Sequence, residues 1–197
     1  MCGMDASLLK KDIRIRHLQQ RAAFSDEEYS QRSHSICEHL RFLTKDLKLH
    51  YVHVFLPIIG RKEPDIHPFI QHLIHAGVTV VVPIAQVHTR EMKHAIIDQY
   101  SEFDVGAWGE PVPIKPQYVT RNHYDLLLIP MLAVDQNGHR LGYGKGYYDT
   151  FLKIVSGPTI GICYDDERVE HLPIEVHDQP VSFIVTDQNT IPMLNSF

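Results

Sequence analysis

The chain has 197 residues, of which 44% are hydrophobic and 22% charged, and its formal net charge is −5 at pH 7. This composition is ordinary for a globular protein, so we expect residues 1–197 to form a single domain with a substantial core. The negative charge argues against general nucleic-acid binding. The sequence has no apolar run of membrane-spanning length and no signal-peptide core, which argues against a membrane partner. Three separated cysteines without a CxxC motif favour free thiols in a reducing, cytoplasmic environment.

The first part of the chain predicts two helices. Leu9, Ile13, Leu18 and Ala22 recur near a helical period. Ser25, followed three residues later by a glutamate, forms a capping box that predicts the start of the second helix. We expect the inward face of this helix to carry Tyr29, Ser33, Ile36, Leu40, Leu43 and Leu47.

The rest of the chain alternates between strands and helices. Asp65 is expected to cap a helix that Gly77 ends, residues 98–124 are mostly irregular, and residues 147–155 form a helix. Three apolar strands each end at a proline, which cannot donate to a sheet. If these strands are parallel, their ends share one edge, where ligands of open α/β sheets bind. The predicted strands are 51–56, 78–82, 92–97, 126–129, 159–164 and 183–186.

Residues 140–149 form the most informative motif, Arg-Leu-Gly-Tyr-Gly-Lys-Gly-Tyr-Tyr-Asp. Alternating glycines allow backbone amides to approach an anion closely, and a following helix start favours negative charge. Lys145 supplies a mobile cation, and Asp149 supplies an oxygen ligand suited to Mg²⁺. The motif therefore predicts a nucleotide-phosphate site, with a tight glycine turn as the alternative.

This motif resembles the R-L-G-x-G-x-G-Y-Y-D signature of the 5-formyltetrahydrofolate cyclo-ligase family, as do the apolar strand, proline and turn that precede it. Many relatives carry arginine at the position of Tyr143. The resemblance implies a three-layer α/β/α fold with a mainly parallel sheet, similar to sugar-phosphate isomerase and CoA-transferase-like domains. It also implies ATP-dependent cyclisation of 5-formyltetrahydrofolate to 5,10-methenyltetrahydrofolate, with Mg²⁺ as cofactor. The implied partners are ATP and a reduced folate, and the implied assembly is a monomer or homodimer.

The resemblance also implies the residues that bind ATP. The N-terminal K-x-x-x-R pattern matches Lys10 and Arg14, which from sequence alone could be a solvated helix face. Lys145 and Arg140 are the implied catalytic residues: Lys145 neutralises charge on the transferred phosphate, and Arg140, with Lys10 and Arg14, holds the remaining phosphates. The implied ATP-binding set is Lys10, Arg14, Arg140, Leu141, Gly142, Tyr143, Gly144, Lys145, Gly146, Tyr147 and Tyr148.

The folate and metal sites follow from the same resemblance. Glu63 offers a carboxylate to the N–H donors of the pterin, and its alternative is a surface glutamate before a helix cap. Asp149 and Asp178 are the implied metal ligands, although Asp178, after His177, could instead form a turn. Trp108 could cover the folate or only pin its loop onto the core. The implied folate-binding set is Phe55, Leu56, Glu63, Trp108, Tyr143 and Tyr147.

Two other functions remain open at the level of sequence. A sugar-phosphate isomerase would need a placed acid–base pair and no nucleotide. A non-catalytic module would bind folate or nucleotide without turnover. The fourteen histidines form no zinc-binding spacing, so no structural zinc site is expected.

Overall fold

The computed structural model describes residues 6–87, 89, 91–174 and 178–193. Within these ranges the helices are α1 Ala6–Ala23, α2 Asp26–Thr44, α3 His67–His75 and α4 Tyr147–Phe151, with single 3₁₀ turns at Ile59–Arg61 and Asp165–Glu167. The strands in the same ranges are β1 Tyr51–His53, β2 Thr79–Ala85, β3 Met92–Ile97, β4 Phe103–Val105, β5 Pro111–Pro113, β6 Gln117–Tyr118, β7 Leu126–Pro130, β8 Ala133–Val134, β9 Arg140–Leu141, β10 Thr159–Ile162, β11 Phe183–Val185 and β12 Thr190–Pro192.

Eight strands form one mixed sheet in the order β12-β11-β10-β7-β1-β2-β3-β6. Its five central strands, from β11 to β2, are parallel, and β12, β3 and β6 pair antiparallel at the edges. The chain leaves β1 towards β2 on one side and later returns to β7 on the other. A crevice at the carboxyl ends therefore opens where this direction reverses. The predicted α/β fold with a mainly parallel sheet is confirmed.

Helices cover both faces of the sheet. On one face, Ile36 of α2 and Phe69 of α3 pack with Leu128 of β7 in the larger core cluster. On the other face, Phe151 of α4 packs with Ile129. Full burial of one such side chain stabilises the fold by about 1.5–3 kcal/mol. Successive side chains of β7 thus point to opposite faces of the sheet, as the two-residue period of a strand requires.

Helix α1 packs on a separate element, the small β8–β9 hairpin. Ile13 of α1 belongs to a third apolar cluster with Ala133 and Leu141. This hairpin was not predicted from the sequence. Because β9 leads directly into the glycine-rich motif, the packing brings the start of the chain next to that motif.

The predicted helix boundaries are largely confirmed. The side chain of Ser25 accepts a hydrogen bond from the amide of Glu28 at 3.0 Å, and Gly77 follows α3 with φ +80°. The carboxylate of Asp65 accepts the amide of His67 at 3.0 Å, although Ile66 holds the N-cap position. The inward placement of Leu47 is wrong, because α2 ends at Thr44 and Leu47 is 52% exposed. The predicted helix 147–155 is shorter and ends at Phe151.

Two of the three expected proline stops are wrong, because β1 ends at His53, four residues before Pro57, and Pro83 lies within β2. The third is confirmed, because Pro130 is the last residue of β7. Val81 accepts a hydrogen bond from the amide of Val54, so Pro83, two residues later, points its nitrogen towards β1. The amides of Leu127 and Met131 donate on the opposite side of β7, towards β10, so the nitrogen of Pro130 also points towards β1. Strand β1 has already ended at His53, so neither proline removes a ladder hydrogen bond.

The remaining differences concern short strands. Residues 98–124, predicted to be mostly irregular, contain the β4–β5 pair and β6, and β12 was not predicted. Strands of two or three residues are too short to show a hydrophobic period. Cys37 and Cys163 are buried free thiols, whereas Cys2 and His177 lie outside the described residues.

Candidate active site

A cavity of about 720 Å³ opens at the carboxyl ends of the central strands. It lies where β1 ends early, between Pro83 of β2 and Pro130 of β7, which both line it. The structure brings together in its lining all of the residues that the sequence analysis assigned to ATP, folate or metal: Lys10, Arg14, Phe55, Leu56, Glu63, Trp108, Arg140, Leu141, Gly142, Tyr143, Gly144, Lys145, Gly146, Tyr147, Tyr148, Asp149 and Asp178.

The glycine-rich loop between β9 and α4 is held by α1. Arg14 donates from Nε to the carbonyl oxygen of Gly142 at 2.8 Å. Gly144 and Gly146 have φ of +83° and +75°, a region that favours glycine. A Cβ on Gly144 would lie 3.0 Å from Cζ of Arg14. Close approach of the arginine to the loop therefore depends on this glycine.

Two cation–carboxylate pairs lie beside the loop. Nη2 of Arg140 is 2.5 Å from Oδ1 of Asp149, and Nζ of Lys10 is 3.3 Å from Oδ2 of Asp178. Arg140 also donates to the carbonyl of Gln179. Burial lowers the pKa of Arg140, whereas Asp149 and Asp178 raise it. The two predicted phosphate-binding cations therefore hold the two predicted metal ligands.

The donor set of this region suits a metal that arrives with a nucleotide. Among the residues that the structure describes, no group of three or more His, Cys, Asp or Glu side chains could hold a metal alone. Mg²⁺ in nucleotide sites needs only one or two protein carboxylates, because phosphates and water complete its shell. Asp149, whose side chain is 36% exposed, and Asp178 fit that requirement.

Glu63 also lines the cavity and is only 3% exposed, so it is not a surface glutamate. Its Oε2 accepts the amide of Ile58 at 2.7 Å, and its carbonyl oxygen accepts the hydroxyl of Tyr29 at 2.9 Å. Burial raises the pKa of its carboxyl, while the Ile58 amide, Tyr143 and nearby arginines oppose this effect. Glu63 is therefore a fixed acceptor inside the cavity.

Aromatic side chains also line the cavity. The rings of Trp108 and Tyr147 are 5.6 Å apart, and Tyr147 donates its hydroxyl to the carbonyl of Gln86 at 3.2 Å. Phe55 is buried and contributes to the same lining. Tyr148 packs on Phe151, with ring centroids 6.4 Å apart. Trp108 thus lines the cavity and packs against Tyr147 of α4.

Sequence reasoning missed two arginines at this site. The ring of Tyr143 lies 5.1 Å from the guanidinium carbon of Arg61, which lines the cavity. The Tyr143 hydroxyl accepts from Nη1 of Arg21 at 3.3 Å. Arg14 and Arg21 are seven residues apart in α1 and so share one face of the helix, a spacing that could have revealed Arg21. Arg61 carried no comparable signal.

The cavity lacks the acid–base histidines that an isomerase could use. Within the described part of the chain, no histidine lines it. The same ranges contain no helix long and apolar enough to cross a membrane. The fold and the cavity define an α/β enzyme whose ligands bind at the carboxyl ends of a parallel sheet.

Comparison with known proteins assigns the family. The profile of the 5-formyltetrahydrofolate cyclo-ligase family matches residues 6–187. The 5-formyltetrahydrofolate cyclo-ligase of Escherichia coli K12 is 28% identical, over 85% of this chain and 94% of that protein. The mouse enzyme of the same name is 22% identical, over 96% of this chain and 98% of its own length. The NMR structure of Aquifex aeolicus 5,10-methenyltetrahydrofolate synthetase has a TM-score of 0.81 and 30% identity, and covers 95% of this chain and 94% of that one.

The chain therefore belongs to the 5-formyltetrahydrofolate cyclo-ligase family. It is a ligase of folate one-carbon metabolism that converts 5-formyltetrahydrofolate to 5,10-methenyltetrahydrofolate, in a family that uses ATP. This assignment sets aside the sugar-phosphate isomerase.

Proposed function

We propose that this cyclo-ligase works by phosphorylating the formyl oxygen of its substrate with ATP and Mg²⁺. The observation that supports the proposal is that one cavity is lined by two kinds of residues. The glycine-rich loop and the cations Lys10, Arg14 and Arg140 line it, and so do the buried carboxylate of Glu63 and aromatic rings. A nucleotide bound by the loop and a folate bound by Glu63 would therefore meet in one cavity.

The chemistry explains why a phosphate site and a folate site must adjoin. A formamide oxygen is a poor leaving group, and N10 of the folate is a weak nucleophile. Attack of the formyl oxygen on the γ-phosphate makes a phosphate ester and releases ADP. N10 then attacks the formyl carbon, phosphate departs, and N10 loses its proton. The contribution of the protein is to position the reactants and neutralise phosphate charge.

Each group of lining residues has a distinct role in this proposal. Lys145 and the amides of residues 142–146 contact the transferred phosphate, and Arg140, with Lys10 and Arg14, holds the remaining phosphates. Asp149 and Asp178 would hold Mg²⁺, which supplies further charge neutralisation to the phosphates. Glu63 accepts hydrogen bonds from the pterin. Phe55, Leu56, Trp108, Tyr143 and Tyr147 surround the folate rings, and Leu141 and Tyr148 complete the lining on the side of the loop.

Lys145 gives the most direct test. We expect Lys145→Ala to lower kcat by about two to three orders of magnitude, because one charge aimed at the transition state is lost. Binding of 5-formyltetrahydrofolate alone should be unchanged. The measurement is the near-ultraviolet absorbance of the methenyl product in the presence of folate, ATP and Mg²⁺. Lys153→Ala is the matched control, since Lys153 is also exposed but does not line the cavity.

The outcomes separate the proposal from its alternative. A wild-type rate in Lys145→Ala would remove Lys145 from the phosphate site. If the wild-type protein formed no product while ATP and folate each raised its melting temperature, it would be a binding module without catalysis.

A further inference from the structure

A buried ion pair that the proposed chemistry does not use lies next to Tyr143 of the cavity lining. Arg21 of α1 and Glu167 are each only 1% exposed. Arg21 donates from Nε and Nη2 to the two carboxylate oxygens of Glu167 at 2.6 and 2.7 Å, and from Nη2 to the carbonyl of Met131 at 2.6 Å. Glu167 also accepts the amide of Tyr164 at 2.9 Å. Both charges are thus fixed in position.

One donor of this arginine points away from the pair and towards the cavity. Nη1 of Arg21 donates to the hydroxyl oxygen of Tyr143 at 3.3 Å. Burial raises the pKa of both Tyr143 and Glu63, and a hydrogen bond between their side chains raises the pKa of Tyr143 further and lowers the pKa of Glu63. Because the oxygen of Tyr143 accepts from a cation, its proton is directed to Glu63. A hydrogen bond that is polarised in this way by a neighbour is strengthened.

We propose that Arg21 and Tyr143 are positioning residues for Glu63, forming a hydrogen-bond chain that orients its carboxylate to accept donors from the pterin. This inference rests on the proposed role of Glu63 in folate binding. The hydroxyl of Tyr143 then serves the folate indirectly, through Glu63, while its ring packs against the guanidinium of Arg61.

The need for such a chain follows from the burial of Glu63. Burial raises the pKa of its carboxyl, and a protonated carboxyl would present a hydrogen to the donors of the pterin. The Ile58 amide alone satisfies one oxygen. The charged and titratable groups that act on Glu63 come from every neighbouring element: Arg21 of α1, Tyr29 of α2, Arg61 of the 3₁₀ turn, Tyr143 of the glycine-rich loop and Tyr148 of α4.

Tyr143→Phe is the decisive variant, because it removes the hydroxyl and keeps the ring. We expect the affinity for 5-formyltetrahydrofolate, titrated without ATP, to fall about tenfold, the size of a lost hydrogen bond to a charged group. The KM for folate should rise in parallel while the KM for ATP stays unchanged. The acid limb of folate binding should move to higher pH, because the pKa of Glu63 rises when a donor is lost.

A double-mutant cycle separates this role from a general effect on structure. In a Glu63→Gln background, adding Tyr143→Phe should change folate affinity little, because no carboxylate remains to be held. Arg21→Met alone would leave Glu167 buried and unpaired. The Arg21→Met/Glu167→Gln variant therefore removes both charges and should weaken folate binding in the same direction as Tyr143→Phe.

Tyr164→Phe is the control. Its hydroxyl donates to the carbonyl of Lys62 at 2.9 Å, next to Glu63 but away from the carboxylate. We expect the acid limb of folate binding by Tyr164→Phe to stay at the same pH as in the wild-type protein. Two outcomes would overturn the inference. One is wild-type folate affinity in Tyr143→Phe. The other is that Tyr143→Phe lowers folate affinity by the same factor in the wild-type and in the Glu63→Gln background. Failure of the proposed mechanism can be distinguished from failure of this inference. In that case the wild-type enzyme would make no product, although the predicted changes in folate binding were observed.

Discussion

At the level of single residues, the buried charges of Arg21 and Glu167 are compensated by fixed partners. Arg21 uses its donors on Glu167, Met131 and Tyr143, and its guanidinium lies 5.3 Å from the centre of the Tyr164 ring. Glu167 raises the pKa of Arg21 against the effect of burial. Removing one partner would leave the other charge without compensation, which costs far more than the pair contributes.

We therefore expect Arg21→Met to lower the free energy of unfolding by about 3–5 kcal/mol. The Arg21→Met/Glu167→Gln variant should recover much of this loss, because no buried charge is left unpaired. Urea unfolding at neutral pH measures both. If the double variant were as unstable as the single one, the packing of Arg21 rather than its charge would account for the loss.

At the level of elements, the glycine-rich loop and α1 form one unit although 128 positions separate Arg14 from Gly142. The loop needs left-handed backbone at Gly144, and the arginine occupies the space that a side chain there would fill. The short α4 that follows, with five residues, offers only a weak dipole. The basic side chains of α1 therefore supply, beside the loop, the positive charge that the short helix α4 cannot supply.

Gly144→Ala should raise the KM for ATP about tenfold or more, because the strained loop and the displaced Arg14 both disturb the phosphate site. Steady-state kinetics at saturating folate measures this change. Gly77→Ala is the matched control: Gly77 also has positive φ, at +80°, but lies after α3 outside the cavity. It should lower stability without changing the KM. Equal KM values for ATP in the two variants would contradict the role of the loop.

The same elements show what the sequence could predict. Long periodic segments such as α2, and strands with bulky apolar runs such as β7, were predicted because burial imposes their pattern. All seventeen residues that the family resemblance assigned to ATP, folate or metal lie in the cavity lining. Two-residue strands such as β8 and β9 carry no period, and the place of Pro83 within β2 depends on where β1 ends. Arg61 and Arg21 reach the site through tertiary packing, which local sequence does not encode.

At the level of the whole molecule, stability should depend on a histidine pair within the second face of the sheet. Nε2 of His53 and Nδ1 of His94 are 3.2 Å apart, and His94 stacks on Phe151 with ring centroids 4.4 Å apart. Burial lowers the pKa of His94 to about 4, and burial together with His94 lowers the pKa of His53 well below its usual value. Both rings are therefore neutral in the native protein at neutral pH.

Because of this pair, we expect the protein to lose stability on acidification at a pH higher than the range in which carboxylates titrate. In the unfolded chain each histidine gains a proton near pH 6.5. In the native protein the two rings stay neutral at this pH. The free energy of unfolding is therefore highest above pH 6.5 and falls as pH drops towards 4, by at most about 1.4 kcal/mol per pH unit for each histidine. We expect His94→Asn, which keeps a polar atom near the position of Nδ1, to make the free energy of unfolding less dependent on pH in this window.

Urea unfolding at several pH values between 7 and 4 tests the expectation. His171→Asn is the control, because the His171 side chain is 74% exposed and should not change the slope. An identical slope in His94→Asn and the wild-type protein would show that other groups govern acid unfolding.

The position of Trp108 gives the protein a built-in optical reporter. It is the only tryptophan in a chain with nine tyrosines, and it lies in the cavity lining with its ring 5.6 Å from that of Tyr147. Indole emission excited at the red edge of its absorption therefore originates from the cavity alone. A ligand that enters this cavity should change that emission, so its binding can be followed in the unmodified protein, without a label and without turnover.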